Sequence, residues 1–139
     1  MTKIRKAATI LLGRDFQGEF EILLLKRNKA LAFAGGLWVF PGGKIETNEI
    51  EQSPDELTAA KVAAVRETME ESNLKINSDD LIFYRHWTTP PLNLGGLRLT
   101  SFLQRHLLRI LMFKLMIAKS RNTFGFPLKK HLPNLKQGN

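Results

Sequence analysis

Three carboxylates crowd one short stretch of this chain. In AAVRETMEES, residues 63–72, Glu67, Glu70 and Glu71 fall within little more than a helical turn, next to Arg66. Like charges at these spacings repel and weaken a helix, so a compensating cation is the natural partner. Hard divalent ions take oxygen ligands, and Mg²⁺ usually binds a few carboxylates together with substrate phosphates. Upstream, GGLWVFPGGKIE sets Gly42–Gly43 where bare backbone can approach a ligand closely. A carboxylate-lined helix facing such a turn suits phosphate chemistry, in which an ion bridges phosphate oxygens and a glutamate serves as general base. The plain alternative is a solvated acidic face with no ligand, as most charge clusters are.

Other elements must hold these groups in place. KAATILLGRD and FEILLLKRN are apolar, strand-length runs separated by the turn-like Asp15–Gly18, and they predict a hairpin. A short strand at Leu37–Phe40 is bracketed by Gly35–Gly36 and Gly42–Gly43. Residues 44–54 are acidic and polar and predict a loop. Ser53 is placed to cap a helix whose first turn holds Pro54, Asp55 and Glu56, running to about Ser72, with Asn73 as a left-handed C-cap. At about 100° per residue, Glu67, Glu70 and Glu71 share one sector. Val62, Val65 and Met69 fall opposite and predict the core side. LIFYRHW and LRLTSFL read as strands, TTPPLNLGG as a loop between them, and no internal repeat is present.

A chain of 139 residues suits one compact domain. The absence of cysteine excludes disulfides and thiolate metal sites. The N-terminal MTKIRKAATILLGRDF lacks the apolar run and cleavage site of a signal peptide, and no apolar stretch reaches membrane-spanning length, so a cytoplasmic protein is expected. The net charge of +8 hides a division. Residues 1–80 carry 11 Lys/Arg and all 13 Asp/Glu, whereas residues 81–139 carry 10 Lys/Arg, all three histidines and no acid. Two compositions are joined somewhere after Asp80.

The stretch GLWVFPGGKIE…AAVRETMEESNL resembles the signature of the Nudix hydrolases, which in that family reads G-x5-E-x7-R-E-U-x-E-E-x-G-U with U aliphatic. Gly43 and Glu49 match G-x5-E; Arg66, Glu67, Glu70, Glu71 and Leu74 match the later part. LLLKRN and LWVFPGG are similar to the family as well. Sixteen residues separate Glu49 from Arg66 where the family has seven, so the box, at about 42–74, carries an insertion at about 50–58. Coenzyme A diphosphatase-like members have long insertions here and a W-x-T-P stretch like Trp87–Pro90. Thr68 stands at an aliphatic position and Asn73 at a glycine, a mild change because Asn tolerates positive φ. The resemblance implies an α/β fold, an α/β/α sandwich around a mixed sheet, incomplete after residue 103. It implies a metal-dependent pyrophosphatase acting on a small-molecule diphosphate: a nucleoside diphosphate derivative or a coenzyme A-like compound. It further implies Mg²⁺ or Mn²⁺ on Glu67, Glu70 and Glu71, with Gly42 and Gly43 beside the ligand. Arg66 would be paired with a loop glutamate, for which Glu46, Glu49, Glu51 and Glu56 are all available. No nucleic-acid partner is expected, and the oligomeric state stays open.

The likeness covers roughly residues 5–103 and stops there, which implies a domain at 1–103 and leaves 104–139 as a basic tail. LQRHLLRILMFKLMIAKSR spreads apolar residues all round a helix and gives no clean amphipathic face. A membrane-surface or nucleic-acid contact is one explanation, and would make the chain a binding protein or an inactive remnant. A displaced reading frame is another. Read one base early, Met112–Phe113 forces valine and Met116–Ile117 forces aspartate; Leu111 and Leu115 each permit a further aspartate. The displaced string permits D-V-Q-V-D-D, then E-I-K-E-H-I-W-V-S-P from Ala118 to Leu128, then E-E-A-L-T-K-F-K-A. That restores the missing acids and resembles the family's C-terminal part, with the break near Phe102–Leu103. On this account the sheet of the present chain lacks part of its cover, and weak stability and activity follow. His86, His106 and His131 have no metal-ligand spacing. Trp38 and Trp87 read as core or pocket-wall residues, and Lys26 and Arg27 as the end of a strand close to the site.

Overall fold

The computed structural model describes residues 4–30, 35–89, 96–107, 109 and 112. Strand β1 (Arg5–Leu11) lies inside the sheet because alternate residues are apolar: Ala8 and Ile10 are fully buried, and Leu12 beyond its end nearly so. It pairs antiparallel with β6 (Gly42–Lys44) on one side and parallel with β8 (Leu97–Gln104) on the other. Strand β7 (Leu81–Thr88) pairs antiparallel with β8, completing a mixed sheet of order β6-β1-β8-β7. The register sets Ala8 between Gly43 and Thr100, and Ile10 beside Phe102.

The expected hairpin forms one step later than its apolar runs suggest. The first run divides at Leu12, and the hairpin consists of β2 (Gly13–Phe16) and β3 (Glu19–Ile22). Its two-residue turn has positive φ at both Gln17 and Gly18, 52° and 78°. Positive φ at both positions gives the twist that matches antiparallel strands. Strands β4 (Leu25–Lys26) and β5 (Trp38–Val39) make a second short ladder, so the predicted strand at Leu37–Phe40 is present but shorter.

Two expectations for the helical region are corrected. Residues 44–54 are not all loop, for Thr47–Gln52 form α1, braced by the Glu46 N–H donating to Glu49 Oε2 at 2.8 Å. The bond satisfies a backbone donor that the start of a helix would otherwise leave free. Helix α2 (Glu56–Ser72) is capped by Asp55 rather than Ser53, its carboxylate accepting from Thr58 N–H at 2.7 Å. Aspartate serves as well as serine there, since either oxygen can take that amide. Asn73 closes the helix in the left-handed conformation, φ 57°, as expected.

The core side of α2 is also corrected. It is lined by Ala59, Ala60, Ala63, Ala64 and Thr68, while Val62 and Met69 are 44% and 45% exposed. Of the three residues predicted to face inward, Val65 does pack against the core. Small side chains let α2 come close to β1, β6 and β8, which bulky ones in the same positions would prevent. The buried Thr68 hydroxyl donates to Ala64 O at 2.7 Å, so its polar atom is satisfied within the helix. Ala63→Leu therefore overpacks this layer. It is expected to cost about 3 kcal/mol, read as a lower urea midpoint with an unchanged slope.

At its first turn α2 is tied to the sheet by Glu56, which meets Lys6 at 2.8 Å and Arg98 at 3.6 Å. The C-terminal layer anticipated for the sandwich falls on residues outside those described, as does most of the basic tail. Strand β8 continues to Gln104, residues 105–107 are helical, and Leu107 is buried. No helix among the described residues is long and apolar enough to cross a membrane.

Candidate active site

Strand β6 and the last two turns of α2 meet at Gly42–Gly43. Pro41, fully buried, anchors the approach: its carbonyl accepts from Ile10 N–H at 3.0 Å and from the Thr9 hydroxyl at 2.9 Å. Gly42 follows with φ 155°, where a Cβ would strike the Ala8 carbonyl. A Cβ on Gly43 would land on the Glu67 carboxylate. Gly42 is thus required by the backbone of the neighbouring strand, whereas Gly43 is what lets the Glu67 carboxylate sit where it does.

The carboxylates rest on this turn. Glu71 Oε2 accepts the Gly42 N–H at 3.1 Å, and Glu67 lies over Gly43. Glu70 is more exposed and meets Arg66 Nη1 at 3.3 Å. Among the four glutamates available to Arg66, the structure selects Glu49, whose side chain is buried. Arg66 Nε donates to Glu49 Oε1 at 2.8 Å and Nη2 to Glu49 Oε2 at 3.3 Å. Nη2 also reaches the Lys44 carbonyl at 3.0 Å, and Nη1 reaches Glu67 Oε1 at 2.8 Å. This two-edged grip is the strong form of a carboxylate pair, and it joins α1, β6 and α2 at one residue.

These neighbours displace the titrations in opposite directions. Burial pushes the Glu49 carboxyl up, but hydrogen bonds from Arg66 and the Glu46 N–H outweigh it and hold the group below its ordinary range. Loss of water pushes Glu71 up, the Gly42 N–H and Arg27 oppose this, Glu67 and Glu70 add to it, and the net shift is upward. Glu49 therefore contributes stability at neutral pH that is lost as pH falls through its folded pKa. For Glu71 the sign reverses: the folded state holds that proton more tightly, so ionising it at neutral pH opposes folding. Glu71→Gln is expected to raise the melting temperature of metal-free protein at pH 7, with the advantage shrinking as pH falls through the Glu71 titration. Calorimetric scans across pH would check both statements.

Oxygen donors on bare backbone suit a hard divalent cation in kind. In position they are divided, for among the described residues no three His, Cys, Asp or Glu side chains already converge as a metal-holding group. Glu67 and Glu70 lean toward Arg66, and Glu71 toward Gly42. Gly43→Ala would force the Glu67 carboxylate off its seat. A divalent ion held through Glu67 would then bind roughly 10- to 100-fold more weakly, on the scale of lost ligand support at a metal site, with the circular dichroism spectrum unchanged.

The remaining predicted residues fall nearby or elsewhere. Arg27, just beyond the end of β4, has its Nε buried without a hydrogen-bond partner among the described residues, and its charge is felt at Glu71. Trp38 and Trp87 are not core: they are 40% and 49% exposed, each with a cation over its ring, from Lys26 and Arg85 respectively. His86 bonds the Thr100 hydroxyl at 3.0 Å, His106 is exposed, and His131 lies outside the described residues. The role of Thr9 in pinning Pro41 was not legible, because a threonine in a strand carries no signal of what its hydroxyl reaches. A cavity of about 340 Å³ lined by Leu12, Ile22, Leu23, Leu74 and Ile76 includes none of Glu67, Glu70 and Glu71.

A mixed sheet carrying one carboxylate-bearing helix seated on a glycine turn defines an α/β domain with its acidic groups gathered at the end of that helix. The NUDIX domain model matches residues 3–107, and the chain belongs to the Nudix family. Among solved structures, a NUDIX hydrolase from Alicyclobacillus acidocaldarius is 23% identical at TM-score 0.59, covering 75% of this chain and 70% of that one. A MutT/nudix family protein from Enterococcus faecalis is 20% identical at TM-score 0.61, over 75% of this chain and 37% of that one. The E. coli ORF135 protein is 25% identical at TM-score 0.51, over 74% and 61%. No curated protein matches the chain.

Proposed function

We propose that this chain hydrolyses a diphosphate linkage in a nucleoside diphosphate derivative or a coenzyme A-like compound, with Mg²⁺ or Mn²⁺ held by Glu67, Glu70 and Glu71. The observation that carries it is the seating of Glu67 and Glu71 directly on Gly43 and Gly42, at the end of a rigid helix. A divalent ion there would neutralise charge on the phosphate oxygens. The chain's own residues do the positioning. Arg66 fixes the angle of Glu67, Gly43 lets that carboxylate sit against β6, and Gly42 lets β6 lie close on β1. A carboxylate takes the proton as a water oxygen bonds to phosphorus and the bridging P–O bond breaks. Two phosphate-bearing products leave.

The substrate class is supported by the family and agrees with one fold relative. The NUDIX domain of Shewanella oneidensis NrtR, 15% identical at TM-score 0.58, is complexed with ADP ribose, a diphosphate-linked nucleoside. The insertion after Glu49 and the Trp87–Pro90 stretch favour coenzyme A-like compounds within that class. Purified chain should be incubated with ADP ribose, a dinucleoside polyphosphate and coenzyme A, each with Mg²⁺ or Mn²⁺. Phosphorus NMR should show two new phosphate-bearing products from at least one of them. No turnover of any, with no metal uptake by folded protein, would overturn the proposal.

The acid-free sequence beyond residue 103 belongs to the same proposal. A displaced frame accounts for the missing acids, the forced valine and aspartate, and the permitted tryptophan followed by E-A-L. Sequencing the coding DNA decides it.

A further inference from the structure

Arg66 uses its two edges differently. Nε and Nη2 face the buried Glu49 carboxylate and the Lys44 carbonyl. Nη1 points the other way and is shared by Glu67 Oε1 at 2.8 Å and Glu70 Oε2 at 3.3 Å. Glu71 stays apart on the Gly42 N–H. The three acids expected to serve one ion are therefore divided between two protein donors.

We propose that Arg66 Nη1 is a built-in place-holder for the cation, and that loading proceeds by exchanging this contact for the ion. The idea rests on the metal-dependent reading above and adds a competitor to it. A guanidinium does not lose its charge at any ordinary pH, so it competes with a divalent ion for the same carboxylate oxygens at all of them. The exchange is feasible because Arg66 keeps its bonds to Glu49 Oε1, Glu49 Oε2 and Lys44 O when Nη1 lets go. Glu49 thus acts as the anchor that keeps the guanidinium from following its acids. Arg66 is on this account a positioning residue whose metal-free and metal-loaded partners differ.

The proposal gives opposite signs to two variants of one ion pair. Arg66→Gln removes the competitor, and Mn²⁺ should bind about tenfold more tightly, as expected for removing one unit of like charge a few ångströms from the ion. Glu49→Gln weakens the anchor and leaves the guanidinium more fully on Glu67 and Glu70, so Mn²⁺ should bind several-fold more weakly. Charge alone gives these two signs, since one variant removes a cation and the other an acid, so the exchange itself is read from the Arg66 Nη resonances of the wild-type protein. Calorimetric titration of each folded protein with Mn²⁺ reads the result. Equal or weaker binding by Arg66→Gln, or two shifts of one sign, overturns the proposal.

Should Arg66→Gln fail to fold, the wild-type protein decides. Titration with Mg²⁺ should move the Arg66 Nη resonances while Nε remains hydrogen-bonded, and an unmoved Nη overturns the exchange. Failure of the two readings is separable. Wild-type protein that takes up neither ion removes both, whereas wild-type uptake with the wrong signs removes only the place-holder.

Discussion

On the proposed function, Glu70→Gln is expected to lower Mg²⁺-dependent diphosphate hydrolysis on the order of 10³-fold, the scale of removing a charged group that acts at the reacting phosphate, and to leave stability almost unchanged. The contrast is what makes it informative. In the described structure the Glu70 side chain is 59% exposed and meets Arg66, four residues earlier on α2, at 3.3 Å. An exposed pair at that spacing contributes only about 0.3–0.5 kcal/mol to folding. If Glu70 belongs merely to a solvated acidic face, its neutralisation is close to silent in every assay. A large loss of turnover with an unchanged melting temperature requires that the carboxylate do more than meet Arg66. Turnover close to that of wild type would return the cluster to the solvated-face explanation.

Re-encoding the chain from residue 103 in the displaced frame raises the melting temperature by about 10 °C or more. Strand β7 is an edge of the sheet, and Phe83, Tyr84 and Trp87 along it are 41%, 56% and 49% exposed. An uncovered apolar edge is costly in water and invites association. Covering even a few hundred Å² of it at about 25 cal/mol per Å² gains several kcal/mol, and a domain of this size gains roughly 4 °C for each. Differential scanning calorimetry of the two proteins, side by side, measures the difference. Equal or lower melting of the re-encoded chain would show that the basic tail already provides what the fold needs. The same comparison by light scattering should show less association in the re-encoded protein.

Some of the architecture could be read directly. Helix α2 ends where Asn73 adopts φ 57°. Few other residues take that conformation cheaply, which is why an asparagine there is a legible stop. The glycines flanking Trp38–Val39 likewise marked the short strand between them. The core face of α2 was misread because its alanines carry little apolar weight in a pattern, whereas Val62 and Met69 carry much. What decides burial there is the small gap between helix and sheet, and a pattern does not contain that gap. Helix α1 was missed for a related reason. Glu46 and Glu49 are two charges in an acidic segment until the fold brings the Glu46 N–H and the Arg66 guanidinium onto one carboxylate.

By itself the sequence determined which groups are available for chemistry here: three acids and an arginine at helical spacing, two adjacent glycines, and a change of composition past residue 80. These depend on residue type and local geometry alone. Tertiary structure decided which glutamate holds Arg66, which acid rests on which glycine, and that Arg66 touches Glu67 and Glu70 at the same nitrogen. The contacts of Glu71 with Gly42 and of Arg66 with Glu49 join residues 29 and 17 positions apart, and they exist only once α1, β6 and α2 have been brought together.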